Sequence, residues 1–247
     1  MISMVRPKSP GIWYSSREVV FALAYRPVLV ERSLDSGYLS NAYLVGDRPG
    51  GVAVFVDSGA PLEPLLEFAR RNVLTPTHVL RTHAHQDHIT YEAQLGLPVV
   101  TGPLRSGGLE VEAIPTPGHS PDMVCFVVSD GEQELVFSGD TLFRDSVGGG
   151  DFAAIKHAVM DVYMRMPHER RLLPGHTDAS TIGREWEHNP FITVWRGAQP
   201  EGRERVEVRG APATLIVWSP DYDGKGKAWV RFADGTDAIV GGSAVSR

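Results

Sequence analysis

The feature that most limits what this chain can fold into is the run Thr82-His83-Ala84-His85-Gln86-Asp87-His88, a His-x-His-x-Asp-His cluster. With nine histidines among 247 residues, such a pattern arises by chance in roughly 7 of 10,000 chains of this composition. Imidazole nitrogens and carboxylate oxygens are ordinary ligands for zinc, and they also suit iron and manganese. In a loop, alternate residues can turn towards one point, so His83 and His85 are placed to hold one ion while Asp87 and His88 face a second. The ordinary alternative is a polar loop of solvated histidines, and the rarity of the pattern weighs against it.

Three later segments complete the set. Thr116-Pro117-Gly118-His119-Ser120, Phe137-Ser138-Gly139-Asp140-Thr141 and Leu173-Pro174-Gly175-His176 each follow an apolar, strand-like run and carry one candidate ligand. A glycine before each ligand lets the backbone approach closely or take unusual dihedrals. Alone, each Gly-His or Gly-Asp reads equally well as a turn; beside the first cluster they form a set. His78, His157, His168 and His188 lie in no such motif and read as packed or solvated histidines.

The spacing of apolar residues places short β-strands between Val19 and Val56, over Thr77 to Thr82, and at Leu109 to Ile114, Met123 to Val128 and Glu134 to Phe137. Helical spacing marks Pro61 to Val73, Phe152 to Met164 and a third helix starting within Thr181 to Glu187, with Pro190 disfavouring helix at Asn189. After Trp195 the pattern changes. A linker over Gly197 to Gly202 leads to short β patterns at Thr214 to Trp218, Ala228 to Phe232 and Ala238 to Val240. The expected organisation is a catalytic domain over residues 1–200 and a small β-rich unit over 205–247, with Trp195, Trp218 and Trp229 as core or interface aromatics. At 43 residues, that unit is near the lower limit for folding alone, so it should lean on the main domain or another subunit.

This order of motifs resembles the metallo-β-lactamase superfamily and, within it, the glyoxalase II-like hydrolases. The likeness rests on Phe55-Val-Asp57-Ser-Gly59, Thr82 to His88, Thr116 to Ser120, Ser138 to Phe143, Pro174-Gly-His176 and Asn189-Pro-Phe191. It implies an α/β fold, the αββα sandwich with the metal site at one edge, followed here by a small all-β appendage. It further implies that His83, His85 and His119 bind a first metal, that Asp87, His88 and His176 bind a second, and that Asp140 bridges them. Asp57 would orient the ligand loop, although an Asx turn before Gly59 also accounts for it.

The implied cofactor is a pair of divalent ions, zinc in the first place, with iron or manganese as alternatives. Two ligand carboxylates and one hydroxide leave such a pair with a net charge of about +1, suited to an ester or thioester carbonyl and to stabilising an oxyanion. The implied activity is hydrolysis of a small-molecule ester or thioester by water that the ions activate, with Asp87 and Asp140 central to it. A persulfide dioxygenase of the same fold, with one iron on His83, His119 and Asp140, is the main competitor; a non-catalytic metal or ligand-binding module is a third reading. Gly149-Gly150-Asp151 stands where many relatives have Arg-Thr-Asp, so a glutathione-type substrate does not carry over.

Composition narrows the classes that remain. With 42% hydrophobic and 22% charged residues, the chain is not of disordered, collagenous or coiled-coil type. Its net charge of -6, with 24 basic residues scattered among 30 acidic ones, argues against tracking nucleic-acid phosphates. Cys125 is the single cysteine, which removes any intrachain disulfide and makes the cytoplasm the expected location. Val19 to Val30, broken by Arg26 and Pro27, falls short of the roughly 20 residues of a membrane helix, and Met1 to Gly11 lacks a signal-peptide apolar run. No nucleic-acid or membrane partner is therefore expected, while homo-oligomer contacts remain open.

Overall fold

The computed structural model describes residues 28–247. The expected strand region from Val19, and the readings of Met1 to Gly11 and Val19 to Val30 as lacking a signal or membrane span, fall wholly or partly outside them.

The first sheet orders β1 (Leu29–Leu34), β2 (Asn41–Gly46), β3 (Val52–Val56), β4 (Thr75–Leu80) and β5 (Val99–Val100) side by side in sequence order. Its turns are held by acidic side chains. Asp35 accepts from the amides of Gly37 and Tyr38 at 2.8 and 2.7 Å, and Asp47 accepts from that of Val52 at 2.9 Å. Because β3 and β4 are parallel, the chain needs a crossover, which α1 (Glu63–Arg71) supplies. Pro64 falls in the first turn, where a missing amide costs no helical hydrogen bond. Leu65 and Ala69 of α1 pack on Leu44 and Phe55, covering the outer face of the sheet.

After β4 come two single-turn helices, α2 (Gln86–Ile89) and α3 (Glu92–Leu95). The second sheet contains β6 (Leu104–Ser106), β7 (Leu109–Pro115), β8 (Val124–Ser129) and β9 (Glu134–Gly139). The chain then makes a hairpin of β10 (Leu142–Phe143) and β11 (Ser146–Val147) and enters α4 (Phe152–His157). It returns to the sheet as β12 (Arg171–Pro174) and β13 (Ser180–Thr181), giving the order β13-β12-β9-β8-β7-β6. α5 (Ile182–His188) and α6 (Pro190–Trp195) follow.

Tyr43, Val45, Val54, Val56 and Leu80 of the first sheet meet Val111, Phe126, Val128, Phe137 and Leu173 of the second in one buried cluster. On the far face of the second sheet, Cys125, Val127, Val136 and Leu172 pack against Ile155, Val159, Ile182 and Phe191. Helix, sheet, sheet and helix thus form the αββα sandwich expected from the sequence.

Two expectations need correction. The ligand cluster is not all loop: Asp87 and His88 are consecutive residues of α2, so a helical turn, not alternation along an extended strand, sets their directions. The helix read over Phe152 to Met164 keeps α geometry only to His157, then widens to a π turn over Ala158–Val162 and tightens to a 3₁₀ turn at Tyr163–Arg165. Ile155, Val159 and Tyr163 are all fully buried, and their four-residue spacing exceeds the α-helical period of about 3.6; a wider turn keeps all three on the inner face.

The C-terminal sheet comprises β14 (Glu204–Val208), β15 (Ala211–Ser219), β16 (Lys227–Phe232), β17 (Asp237–Gly241) and β18 (Val245–Ser246), in the order β17-β16-β15-β14-β18. Ile216, Val217, Trp229 and Ile239 join the buried cluster formed by the helices. The Trp229 ring lies 5.1 Å from Phe152 and 6.2 Å from Trp195. Trp218, expected as core or interface, is not part of the core: it is 40% exposed, precedes Ser219 at the end of β15 and lies under the Arg247 guanidinium at 4.7 Å. Strand alternation assigns adjacent residues to opposite faces, and a register irregularity at Leu215/Val217 lets Ile216 and Val217 both remain buried. Among the described residues, no helix is long and apolar enough to cross a membrane.

Candidate metal centre

All seven candidate ligands converge at the edge where the two sheets meet. They form two groups, His83 with His85 and His119, and Asp87 with His88, Asp140 and His176; within each, the ligand atoms lie within 4.8 Å of one another. His85 Nδ1 is 3.0 Å from His83 Nε2 and 2.9 Å from His119 Nε2. Asp140 spans the groups. Its Oδ1 is 3.3 Å from His88 Nε2, and its Oδ2 is 3.3 Å from His176 Nε2 and 3.6 Å from His119 Nε2. Asp87 Oδ2 lies 3.4 Å from His176 Nε2 and 3.7 Å from His88 Nε2.

The backs of the rings fix what their fronts present. His119 Nδ1 donates to the Gly149 carbonyl at 2.9 Å and His176 Nδ1 to the Leu39 carbonyl at 2.8 Å. His88 Nδ1 donates to Asp57 Oδ2 at 2.8 Å. Thr82 Oγ1 gives its proton to Asp57 Oδ2 at 2.8 Å, so towards His83 Nδ1, 3.0 Å away, it acts as acceptor. In these four rings, when neutral, the proton is therefore on Nδ1 and the Nε2 lone pair points inward, the orientation that such outer partners impose on metal-binding imidazoles, whereas His85 turns its Nδ1 inward. His88 Nε2, His176 Nε2 and Asp140 Oδ1 are buried without hydrogen-bond partners, and such groups need an explanation. Converging lone pairs and carboxylates are stabilised by a cation, so the residues present fit metal ions.

Electrostatics differ between the groups. Burial, followed by the His88 charge, lowers the His83 pKa to about 4, and burial also lowers that of His119 despite Asp140. At His176 burial again opposes protonation, but Asp140 outweighs it and pushes the pKa up to about 9; His88 is held well above its ordinary value by Asp140 and Asp57 against the same burial. Burial would raise Asp140, yet His88 and His176 keep its carboxyl well below the usual range. Protons and metal cations compete for the same inward atoms.

Local backbone explains how these side chains reach one point. Asp57 sits at the end of β3 with φ of 55°, a left-handed conformation uncommon for a residue other than glycine. There its Oδ1 accepts from the Thr82 amide at 2.8 Å while Oδ2 serves Thr82 and His88; the strain is retained at a residue that orients two histidines. Gly175 permits a close approach: a Cβ there would come within 2.3 Å of Asp140 Oδ1 and 2.7 Å of His88 Cε1. Across the sheets, the Asn41 amide donates to Gly175 O at 2.7 Å, and Asn41 Nδ2 and Tyr43 Oη both donate to Pro174 O at 2.9 and 2.7 Å. Those bonds lock the His176 strand end to β2.

Sequence reading missed one wall of the site. Tyr222, in the β15–β16 loop, stacks on His176 with ring centroids 3.9 Å apart and planes 10° from parallel, and meets Phe143 edge-on at 5.9 Å. Nothing in Asp221-Tyr-Asp-Gly224 beyond a turn signal marks it. Leu39 and Gly149 were also missed, because they act through backbone carbonyls that no residue type reveals. His157 is exposed and pairs with Asp161 at 2.8 Å, and His168 packs beside Trp186, both away from the cluster.

Comparison with known proteins agrees with this architecture. The sequence profile of the metallo-β-lactamase superfamily matches residues 36–90 and 99–176, and the chain belongs to that superfamily. It is 28% identical to the mitochondrial persulfide dioxygenase ETHE1 of Mus musculus, over 68% of this chain and 77% of that protein. Among solved structures, the BLEG-1 B3 metallo-β-lactamase superposes with a TM-score of 0.60 at 26% identity, covering 67% of this chain and all of the other. TTHA1623 in a di-iron-bound form gives a TM-score of 0.53 at 33% identity, covering 64% of this chain and 98% of that one.

Proposed function

We propose that the chain is a dinuclear metal-dependent hydrolase of an ester or thioester, with His83, His85 and His119 holding one divalent ion, Asp87, His88 and His176 the other, and Asp140 shared. The observation that carries this reading is the position of Asp140, whose two oxygens face His88, His176 and His119 across both donor groups. Zinc suits these nitrogen and oxygen donors, while the di-iron form of TTHA1623 favours keeping iron as an alternative. Such ions would supply hydroxide from water near neutral pH and positive charge for a developing oxyanion.

The protein's residues have distinct tasks. Asp57, Thr82 and the Leu39 and Gly149 carbonyls hold the imidazoles with lone pairs inward. Asp140, kept ionised by His88 and His176, fixes the spacing of the two donor groups. Tyr222 and Phe143 cover the His176 side and limit water there. In the net reaction a water oxygen bonds to the acyl carbon, the C–S or C–O bond breaks, and the leaving group takes a proton. No cysteine or serine nucleophile is required, and Cys125 is buried in β8.

A second reading is favoured by the likeness to the mouse persulfide dioxygenase: one iron on His83, His119 and Asp140, with oxygen as co-substrate. Metal stoichiometry measured together with thioester hydrolysis and oxygen consumption tests the choice. Two ions per chain with hydrolysis and no oxygen uptake is the expected result. One iron with persulfide-dependent oxygen uptake would replace the hydrolase, and metal binding with neither activity would favour a binding module.

A further inference from the structure

Beside the cluster lies an open groove of about 430 Å³ between β1, the tip of the β10–β11 hairpin and the β15–β16 loop. It flanks the candidate centre, although none of the seven ligands lines it. Leu39, whose carbonyl anchors His176, and Thr177, the next residue in the chain, form one wall; Tyr222, stacked on the His176 ring, forms another. The groove is thus separated from His176 by the Tyr222 ring, 3.9 Å from it, a span that the remote end of a molecule reacting at the cluster can bridge. Tyr222 lies outside the residues matched by the superfamily profile, so this wall belongs to the C-terminal sheet of this chain.

The groove is lined by two arginines, Arg32 and Arg144, and three aspartates, Asp145, Asp178 and Asp221, which differ in how firmly they are paired. Arg32 is paired with Asp178 at 2.9 Å, and Asp221 with Lys227 at 2.9 Å. Asp145 receives two bonds from Arg184, at 2.8 and 3.0 Å, and Arg184 also bonds the buried Glu185 at 2.8 Å. Arg144 is the least committed of these cations. Among the described residues its only ion pair is a 3.8 Å contact to the already committed Asp145, and its side chain is 43% exposed.

The backbone beneath Arg144 is firmly held. Its amide donates to Thr177 Oγ1 at 3.3 Å, and Asn189 Nδ2 donates to the Phe143 and Ser146 carbonyls on either side of the tip at 3.4 and 3.0 Å. A fixed hairpin thus presents a guanidinium with free donors, which matches a carboxylate in two-point geometry. Leu34 and Leu39 add apolar lining, suited to methylenes between that carboxylate and the reacting carbonyl.

We propose that this groove is a substrate subsite for a carboxylate-bearing ester or thioester, with Arg144 as the anion contact and Tyr222 as the wall that directs the chain towards the metal centre. The proposal rests on the hydrolase reading for the reaction but not for the binding. The carboxylate can belong to the acyl part or to the leaving group.

The test has a binding arm and a turnover arm. Calorimetric titration of metal-loaded protein with adipate and hexanoate, which share one carboxylate for the metals, isolates the second carboxylate. Adipate should bind roughly tenfold more tightly, the worth of one charge-assisted contact. Arg144→Ala should erase that ratio and Arg144→Lys should keep part of it; Tyr222→Phe should preserve it and Tyr222→Ala reduce it. Equal affinities in the wild type, or a ratio that survives Arg144→Ala, overturns the subsite. In turnover, N-acetylcysteamine thioesters of hexanoate and adipate are compared with the hexanoyl thioester of mercaptopropionate. Selectivity for either charged thioester over the neutral one, lost in Arg144→Ala, supports the subsite and tells which side carries the anion. Equal turnover of all three, slowed alike by the substitution, rejects the subsite while the hydrolase stands. Hydrolysis of none, with the adipate preference intact, rejects the hydrolase while the subsite stands.

Discussion

The edge of the sandwich and the C-terminal sheet are built on opposite terms. At the edge, His83, His88, Asp57, Asp140 and His176 are all buried, and their polar atoms are tolerable only because each outer atom has a partner and each inner one faces other ligands. The C-terminal sheet instead attaches through apolar side chains, Ile216, Val217, Trp229 and Ile239, against the helices. Buried polar groups fix direction, since an unmet one costs about 1–3 kcal/mol; buried apolar area fixes adhesion but tolerates sliding. Chemistry therefore belongs to the first region and support to the second. Tyr222 is where they meet.

The sharpest way to break this contrast is Asp140→Ala. If Asp140 is shared by both donor groups, its loss should lower turnover by roughly a thousandfold or more, with metal per chain falling as well, while His157→Ala and His168→Ala stay near wild type. Turnover and metal content measured on the three variants check this; equal activities with unchanged metal would remove Asp140 from its assigned place.

Next in size is the apolar attachment. Trp229→Ala should cost about 3–5 kcal/mol, the range for emptying a buried aromatic site, whereas Trp218→Ala, at a half-exposed position, should cost about 0.5 kcal/mol or less. Urea unfolding of both variants gives the comparison, and similar losses would mean that Trp218 carries the contact.

Asp57→Ala probes the polar region without touching an inward-facing atom. It frees the Thr82 amide and hydroxyl and His88 Nδ1 together, so metal affinity should fall about 10–100-fold. Competition with a chromophoric chelator measures it, and unchanged affinity would reduce Asp57 to a turn residue.

The smallest effect is expected at Cys125. Burial raises its pKa to about 12, against a weaker lowering contribution from Tyr163, so at pH 8 only about one thiol in ten thousand is ionised. A thiol reagent should label the native protein negligibly and the urea-unfolded protein fully. Rapid native labelling would show that the outer face of the second sheet opens easily.

Much of the site was legible in the sequence because ligand chemistry is tied to residue type and local spacing. The His83 to His88 cluster and the Gly-preceded His119, Asp140 and His176 needed no tertiary knowledge to stand out, and the apolar runs of β7 to β9 marked the strands that lead to His119 and Asp140. Less legible were the groups that act by position. Leu39 and Gly149 contribute carbonyls that every residue possesses, Asp57 read equally well as a turn, and the direction of Asp87 and His88 depended on a helical turn too short to announce itself by periodicity.

The sequence by itself determined which atoms could serve as ligands, that short strands and helices would carry them, and that a β-rich segment would follow, while the sandwich was what the resemblance of its motifs implied. Only the tertiary structure decided that Tyr222 lies on His176, that Trp229 and not Trp218 anchors the C-terminal sheet, and that Arg144 is left without a committed partner beside the cluster. The physical reason is range. Propensity and ligand type act within a few residues, whereas stacking, burial and the pairing of Arg32 with Asp178 and Arg184 with Asp145 join parts of the chain far apart in sequence, and those contacts exist only once the sheets have packed.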